Sequence, residues 1–197
     1  MSIFEDVSAA DVDRLIREFP LAWVIVGSDD PEAHAVPLVP DCDGPPLRRL
    51  IGHIPKASRL AARLRDTKRA LLLFQGPQGY LSPSWLSKRD WAPTWCSATA
   101  QVTADIALMP EATAAALRHM VAVLEQGRAD PWDVAEMGAR FDRLAEGVVA
   151  IHCEILCVQP RFRLAQDEKD DVFRELLRPL DGGDLADWML RMRPDGR

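Results

Sequence analysis

The sequence predicts a mainly β fold with accessory helices (α+β): a closed antiparallel β-barrel of about six strands with helices at its periphery. Two observations carry this. Strand-like runs follow one another across short turns, without the crossover helix of a βαβ unit. The helical patterns fall at the two ends, in one short segment and in one block between residues 110 and 144, so the order reads helix, strands, short helix, strands, helices, strand, helices. A barrel has no open edge and accommodates that order better than a sandwich or a parallel sheet. The chain has 197 residues, 48% of them hydrophobic and 27% charged, enough for one sizeable core. A single domain over 1–197 is expected, its barrel spanning about 10–178 with a last helix at 183–192.

Each element has a local signature. Ser8 is positioned to cap a helix over Ala9 to Glu18, with Val12, Leu15 and Ile16 on one face and Pro20 as its stop. Leu21 to Val26 (LAWVIV) reads as a strand buried on both sides. Gly27 to Pro31 is a turn, and Glu32 to Val39 returns as a second strand whose Pro37 and Pro40 belong at an edge or bulge. Asp41 to Pro46 turns the chain into a third strand, Leu47 to Ile54. Ser58 then caps a short helix from Arg59 to about Asp66. Arg69 to Gly76 is the fourth strand, and Trp95 to Leu108 is a long fifth, bent near Ala98 to Ala100. A helix from Pro110 to about Gln126 presents Ala115, Leu117, Met120, Val121 and Leu124 as its apolar set. A second helix starts at Asp130-Pro131-Trp132 and runs to about Leu144. Val148 to Val158 is a β-branched sixth strand that continues extended to Ala165. A helix begins at Asp167 or Asp170 and ends near Leu177, and a last one covers Leu185 to Met192.

Between the fourth and fifth strands lies Phe74 to Trp95 (FQGPQGYLSPSWLSKRDWAPTW). It holds three of the six Trp, the single Tyr, three Pro and two Gly. Gly76-Pro77 and Ser82-Pro83-Ser84 are turn signals. Flat side chains fixed beside turns either wall a flat ligand or fill a core, since Trp is mostly buried wherever it occurs. The motifs Gln75-Gly76-Pro77, Tyr80, Ser82-Pro83-Ser84-Trp85 and Pro93-Thr94-Trp95 resemble the PaiB-like family of FMN-binding negative transcriptional regulators, which are similar to pyridoxamine-phosphate-oxidase split barrels. Phe19-Pro20-Leu21, His34 to Leu38, Gly52-His53-Ile54 with Lys56-Ala57, and Arg161 to Gln166 continue the resemblance over residues 10 to 178. It implies an antiparallel split β-barrel, FMN as cofactor, and a homodimer with two cofactors in its interface.

Before any resemblance, the junction from Ile54 to Arg59 is the best phosphate site in the chain. A helix N-terminus offers free N–H groups and partial positive charge, beside Lys56, Ser58 and Arg59, with His53 just upstream. An ordinary capped surface helix with solvated cations accounts for the same residues; the resemblance favours phosphate, because the corresponding turn of split barrels holds it. For the flavin ring, Trp85 and Trp95 are candidate walls, with Tyr80 and Trp91. Ser82, Ser84, Thr94 and Gln166 are candidate partners for its polar edge. His34 and His53 are candidate proton donors. Cys96, beside Trp95, either touches a ligand or packs. Two departures from the family pattern stand out: Cys96-Ser97 where Asn-Tyr is usual, and Asp167-Glu168 where Asn-Arg is usual. The second puts an acid where the family has a cation.

Other chemistries find little support. None of the four His (His34, His53, His119, His152) is spaced to bind metal with another ligand on its element. Cys153 and Cys157 are about 13 Å apart on one strand and read as core residues. There is no nucleotide-type Gly-rich loop and no Gly-x-Ser-x-Gly or Ser-x-x-Lys nucleophile. The net charge of −6 argues against direct DNA binding, no apolar run is long enough for a membrane span, and the acidic start is unlike a secretory signal. With four Cys in no tight framework, a cytoplasmic setting is expected. The leading expectation is a flavin-dependent oxidoreductase or flavin reductase passing reducing equivalents from a nicotinamide donor to a small acceptor. An FMN-binding regulator without turnover, a haem-binding split barrel with His53, His119 or His152 as axial ligand, and a member that has lost its cofactor are the alternatives.

Overall fold

In the computed structural model, described over residues 2–41 and 44–193, the turn residues Cys42 and Asp43 and the basic end after Arg193 lie outside the described chain. The first helix, α1 (Ala9–Glu18), begins where Ser8 Oγ accepts the Asp11 N–H at 3.1 Å, and buries Val12, Leu15 and Ile16. Beyond Pro20 come β1 (Leu21–Val26), β2 (Glu32–Pro37), β3 (Val39–Pro40) and β4 (Arg49–Pro55). Ser58 caps α2 (Arg59–Asp66), as its sequence implies. Two long strands follow, β5 (Arg69–Leu81) and β6 (Thr94–Met109). Then come α3 (Thr113–Glu125), the short α4 (Arg140–Ala145), β7 (Val148–Arg163), α5 (Asp170–Leu177) and α6 (Asp184–Arg191).

The seven strands form one antiparallel sheet in the order β2-β1-β5-β6-β7-β4-β3. Its two edge strands, β2 and β3, are separated in sequence only by Leu38. The chain therefore leaves one edge and re-enters at the other, and the sheet closes into a barrel. The expected single strand over 32–39 is in fact these two, which raises the strand number from about six to seven. Pro37 and Pro40 explain the break: each lacks a ladder N–H, so neither suits an uninterrupted strand. Leu38 instead donates its N–H to Pro20 O at 2.8 Å and buries its side chain.

Inside, alternate residues of every strand meet. Ala22, Val24, Val26, Leu72, Phe74, Ala98, Val102, Ile54 and Ile151 form one hydrophobic core with Leu60 and Leu64 of α2. Small residues line β6 (Ala98, Ala100, Ala104), leaving room for larger ones opposite. Trp188 of α6 closes the end away from α2. It is 2% exposed, stacks edge-on against Phe19 and Phe162, and donates its Nε1–H to Glu18 at 2.9 Å. A smaller core joins Ala116 and Met120 of α3 to Val39, Ile51 and Ala150 on the outer side of the sheet.

Several local expectations change. β1 is buried on one side only: Leu21 and Trp23 are 58% and 52% exposed, because the outer face of the barrel carries no helix there. Gly76-Pro77 is no turn but the bulge at which β5 and β6 shift register between Gln75 and Gln78, so β5 runs on to Leu81. The helix proposed from Asp130 is a 3₁₀ turn, Val134–Met137, capped by Asp133, and then α4. Gly138, at φ +53°, separates the two. The buried face of α3 is Thr113, Ala116 and Met120, leaving Leu124 40% exposed. Cys157 is exposed rather than core: Thr103 pairs with Cys157 but Ala104 with Ile155, and that bulge turns Cys157 away from Cys153.

Closure depends on a glycine. A Cβ on Gly52 of β4 would lie 2.9 Å from Pro37 O and 2.6 Å from a Leu38 methyl. Gly52→Ala is expected to destabilise the protein by about 1–3 kcal/mol, as overpacking does. Gly79→Ala, whose new methyl meets only the flexible end of Leu185, is expected to lose less; urea denaturation of both variants checks the ranking.

Candidate functional site

At the end of β4 the chain passes Pro55 and turns into α2. Ser58 Oγ donates to Pro55 O at 2.7 Å and accepts the Ala61 N–H at 3.1 Å, which fixes the first turn of the helix. Ala62 N–H bonds to Ser58 O, so the N–H groups of Arg59 and Leu60 have no backbone acceptor among the described residues. Lys56 Nζ donates to the Glu146 carbonyl at 2.8 Å. Arg59 Nε lies 3.1 Å from Glu32 Oε2, and Glu32 Oε1 lies 2.7 Å from His34 Nε2. The structure thus gathers Lys56, Ser58, Arg59 and His34 at one corner of the barrel. It adds Glu32, a residue with no motif to announce it.

His53 is not part of that cluster. It points outward from β4 under α3, with Nδ1 3.4 Å from Met120 Sδ, and burial holds its imidazole below the ordinary His value. His119 Nε2 is 2.8 Å from Pro40 O.

The aromatic candidates lie elsewhere. Tyr80 and Trp95 are paired across β5 and β6, 49% and 56% exposed, with ring centroids 6.2 Å apart. Trp95 Nε1–H donates to Gln78 Oε1 at 2.6 Å, which fixes the ring. Trp85 and Trp91 lean on the hydrophobic core, and Trp91 Nε1–H donates to Glu168 at 2.9 Å. Ser82 accepts the Ser84 N–H and caps a 3₁₀ turn, Pro83–Trp85, while Thr94 opens β6 opposite Leu81. Gln166 is buried: its Oε1 accepts the Leu164 N–H at 2.6 Å and its Nε2–H donates to Phe162 O. It therefore holds the turn after β7 and reaches no open surface.

Cys96 packs. It is fully buried, and burial pushes its thiol up to about 11. The departing acids Asp167-Glu168 fall at the aromatic end, far from Lys56 and Arg59. Glu32 shares a row with Val26 and Ala70, and Tyr80 stands ten positions further along β5, roughly 30 Å at strand rise. One chain does not bring its cationic corner and its bare aromatics together.

Between them runs the outer face of β1 and β5. Its cross-strand rows are Ala33, Ile25, Leu71, Thr103 and then Ala35, Trp23, Leu73, Gln101, with no charge among them. A groove of about 520 Å³ over Leu21, Trp23, Leu73, Gln75 and Gln78 occupies one end of this strip. A cavity of about 700 Å³ bordered by Asp29, Arg63, Thr67 and Arg69 occupies the other. The strip was hidden from sequence because an apolar run with a Trp reads as buried. Among the described residues no three His, Cys, Asp or Glu could together hold a metal ion, and no helix is long and apolar enough to cross a membrane.

A closed antiparallel barrel with helical ends and a cationic helix-start corner is the architecture of the flavin-type split barrels. Comparison with known proteins agrees: residues 2–156 match the family described as "Putative FMN-binding domain", and the chain belongs to it. FMN is the cofactor of that family and of this chain. Among solved structures, the FAD and haem binding protein from Mycobacterium smegmatis superposes with a TM-score of 0.62 at 18% identity, over 89% of this chain and 78% of that one. A conserved hypothetical protein from Mycobacterium tuberculosis gives 0.61 at 13% identity, over 86% and 93%. The flavocytochrome Anf3 from Azotobacter vinelandii gives 0.52 at 18%, over 78% and 66%. At these identities the likeness is one of fold. No curated protein sequence matches the chain.

The donor set of the α2 corner fits a phosphate ester: two cations, a helix start and free N–H groups. The thiols test the burial pattern of β6 and β7. Cys157→Ser is expected to remove a fast-reacting thiol from native protein and Cys96→Ser to remove none, read by thiol titration before and after denaturation.

Proposed function

We propose that the protein is a homodimeric FMN-dependent oxidoreductase or flavin reductase that acts on a small molecule, with a nicotinamide as electron donor. The observation that carries this reading is the α2 corner, where both cations are held by partners a phosphate can replace. Lys56 contacts only a neutral carbonyl, and Arg59, itself 76% exposed, an ion pair with Glu32 that its mobile guanidinium can leave. Lys56, Arg59 and the first-turn N–H groups would hold the phosphate, since a charge-assisted bond is stronger than the Lys56 contact to a neutral carbonyl and a phosphate dianion offers Arg59 more charge than one carboxylate.

A second copy completes the site. The uncharged strip over Trp23 and Leu73 is an unpartnered sheet face between two cavities. Two copies related by a two-fold axis on that strip would set the cationic end of each against the aromatic end of the other. Tyr80 and Trp95 of one copy then serve as ring wall for the flavin whose phosphate the other copy holds. FMN supplies the hydride and electron transfer when bound; the protein supplies orientation and exclusion of water. His34, with Nε2 fixed by Glu32, presents Nδ1 as the atom able to hold a proton at the mouth of the corner. Ser82, Ser84 and Thr94 remain candidate partners for the ring's polar edge.

A haem-binding role is the second reading, with His53, half-buried under α3, as the candidate axial ligand. The FAD and haem binding protein from Mycobacterium smegmatis has the same fold. Haem titration separates the two, because the flavin reading expects no Soret shift that His53→Ala abolishes. A regulator without turnover would bind FMN but fail to oxidise NADH or NADPH.

Lys56→Ala and Arg59→Ala are each expected to weaken FMN binding about tenfold, the loss of one charge-assisted contact, with riboflavin affinity unchanged. Fluorescence titration with both ligands, together with light scattering for the dimer, measures this. Equal affinity for FMN and riboflavin in the unmodified protein would refute the phosphate assignment.

A further inference from the structure

We infer that Glu32 is a resident counter-anion of the α2 corner: it holds Arg59 until a phosphate monoester enters, and it lowers the affinity of the site for that ester. The inference rests on the reading of this corner as the phosphate end of the FMN site, and it concerns how that site is tuned.

Three observations place Glu32 in this role. Its carboxylate sits on β2 with its side chain only 13% exposed, and it bridges two basic groups, 2.7 Å from His34 Nε2 and 3.1 Å from Arg59 Nε. Arg59 is 76% exposed, so the guanidinium is free to swing, and Glu32 is its ion-pair partner among the described residues. The other cation of the corner, Lys56, is held by a carbonyl and gives up no counter-charge when a phosphate replaces it. Arg59 is thus the one cation of the corner already neutralised by an acid.

The consequence follows from charge. An entering phosphate takes Arg59 bidentately, as guanidinium and phosphate geometry favour. Glu32 cannot leave with it, because β2 fixes the backbone and His34 holds the other carboxylate oxygen. A carboxylate then remains beside a phosphate that carries close to two negative charges. Like charges at that range oppose each other, and partial burial of Glu32 limits solvent screening. Glu32 therefore acts against FMN twice, by competing for Arg59 and by repelling the phosphate. It has no such effect on riboflavin, which carries no charge. The site is tuned toward exchange of FMN rather than permanent retention, which suits a protein that uses flavin as a carrier between donor and acceptor.

Glu32→Gln keeps the side-chain size and an oxygen acceptor for His34 while removing the charge. Fluorescence titrations of FMN and riboflavin against the unmodified chain, Glu32→Gln, Glu32→Asp, Arg59→Ala and Glu32→Gln/Arg59→Ala decide the matter. Glu32→Gln is expected to bind FMN about fivefold tighter, the effect of removing one like charge and one competitor for Arg59, with riboflavin unchanged. The gain should shrink at high salt and be smaller in the Arg59→Ala background. Glu32→Asp, which keeps the charge, is expected to show no gain. Unchanged or weaker FMN binding in Glu32→Gln would overturn the inference and make Glu32 a prop that orients Arg59. That outcome differs from failure of the phosphate reading itself, in which the unmodified chain does not prefer FMN over riboflavin.

Discussion

The structure depends on one residue's worth of chain, Leu38, where the polypeptide leaves one edge of the sheet and joins the other. Two prolines flank the step closely, Pro37 directly and Pro40 two residues on. Each denies the ladder an N–H, so neither β2 nor β3 can extend through the other. Gly52 of β4 leaves the space that the crossing needs. If this closure were loosened, β2 would become an exposed edge and lose its fixed place beside α2. Glu32 reaches Arg59, with His34 on its other oxygen, because the closed barrel holds β2 there. The site and the fold thus share a single constraint.

The barrel also explains why the α2 corner and the exposed pair Tyr80 and Trp95 stand apart within one chain. A closed sheet has a core on one side and a surface on the other. The alternation along each strand puts Ala22, Val24 and Val26 inside and Leu21, Trp23 and Ile25 outside. On the outer surface α3 lies over β4 and the neighbouring parts of β3 and β7. On β1 and β5 no helix among the described residues covers it, and the apolar strip lies between two cavities. The helices that a monomer would need to protect this face are instead placed at the barrel ends, where Trp188 plugs one opening. Such an arrangement favours burial against another copy of the same face over burial within the chain.

The departures from the usual family pattern find separate physical explanations. Cys96 fills a fully buried position among the small residues of β6, where its thiol contributes only volume. Glu168 accepts the Trp91 indole N–H and anchors the loop between β5 and β6 to the segment after β7. Both lie at the aromatic end, so neither sets an acid against the α2 corner. The acid that does stand there, Glu32, occupies an unremarkable strand position.

Local rules were enough for much of this protein. Ser8 and Ser58 announced their helices through capping chemistry, which acts within four residues. The lysine and arginine around α2 were legible for the same reason, because a helix start and its nearby cations are adjacent in sequence. The antiparallel order followed from short connections between strands. What the sequence could not decide were relations between distant segments. The split of 32–39 into two strands depends on where β1 and β4 lie, and the exposure of Trp23 depends on which faces the helices cover. The bulges at Gln75 and at Thr103 shift register by amounts that no local pattern records, and the second of them turns Cys157 outward. Glu32 became part of a site only when closure carried β2 to α2. Hydrogen-bonded caps are short-range and readable; register, closure and face coverage are properties of the assembled sheet, and the tertiary structure decided them.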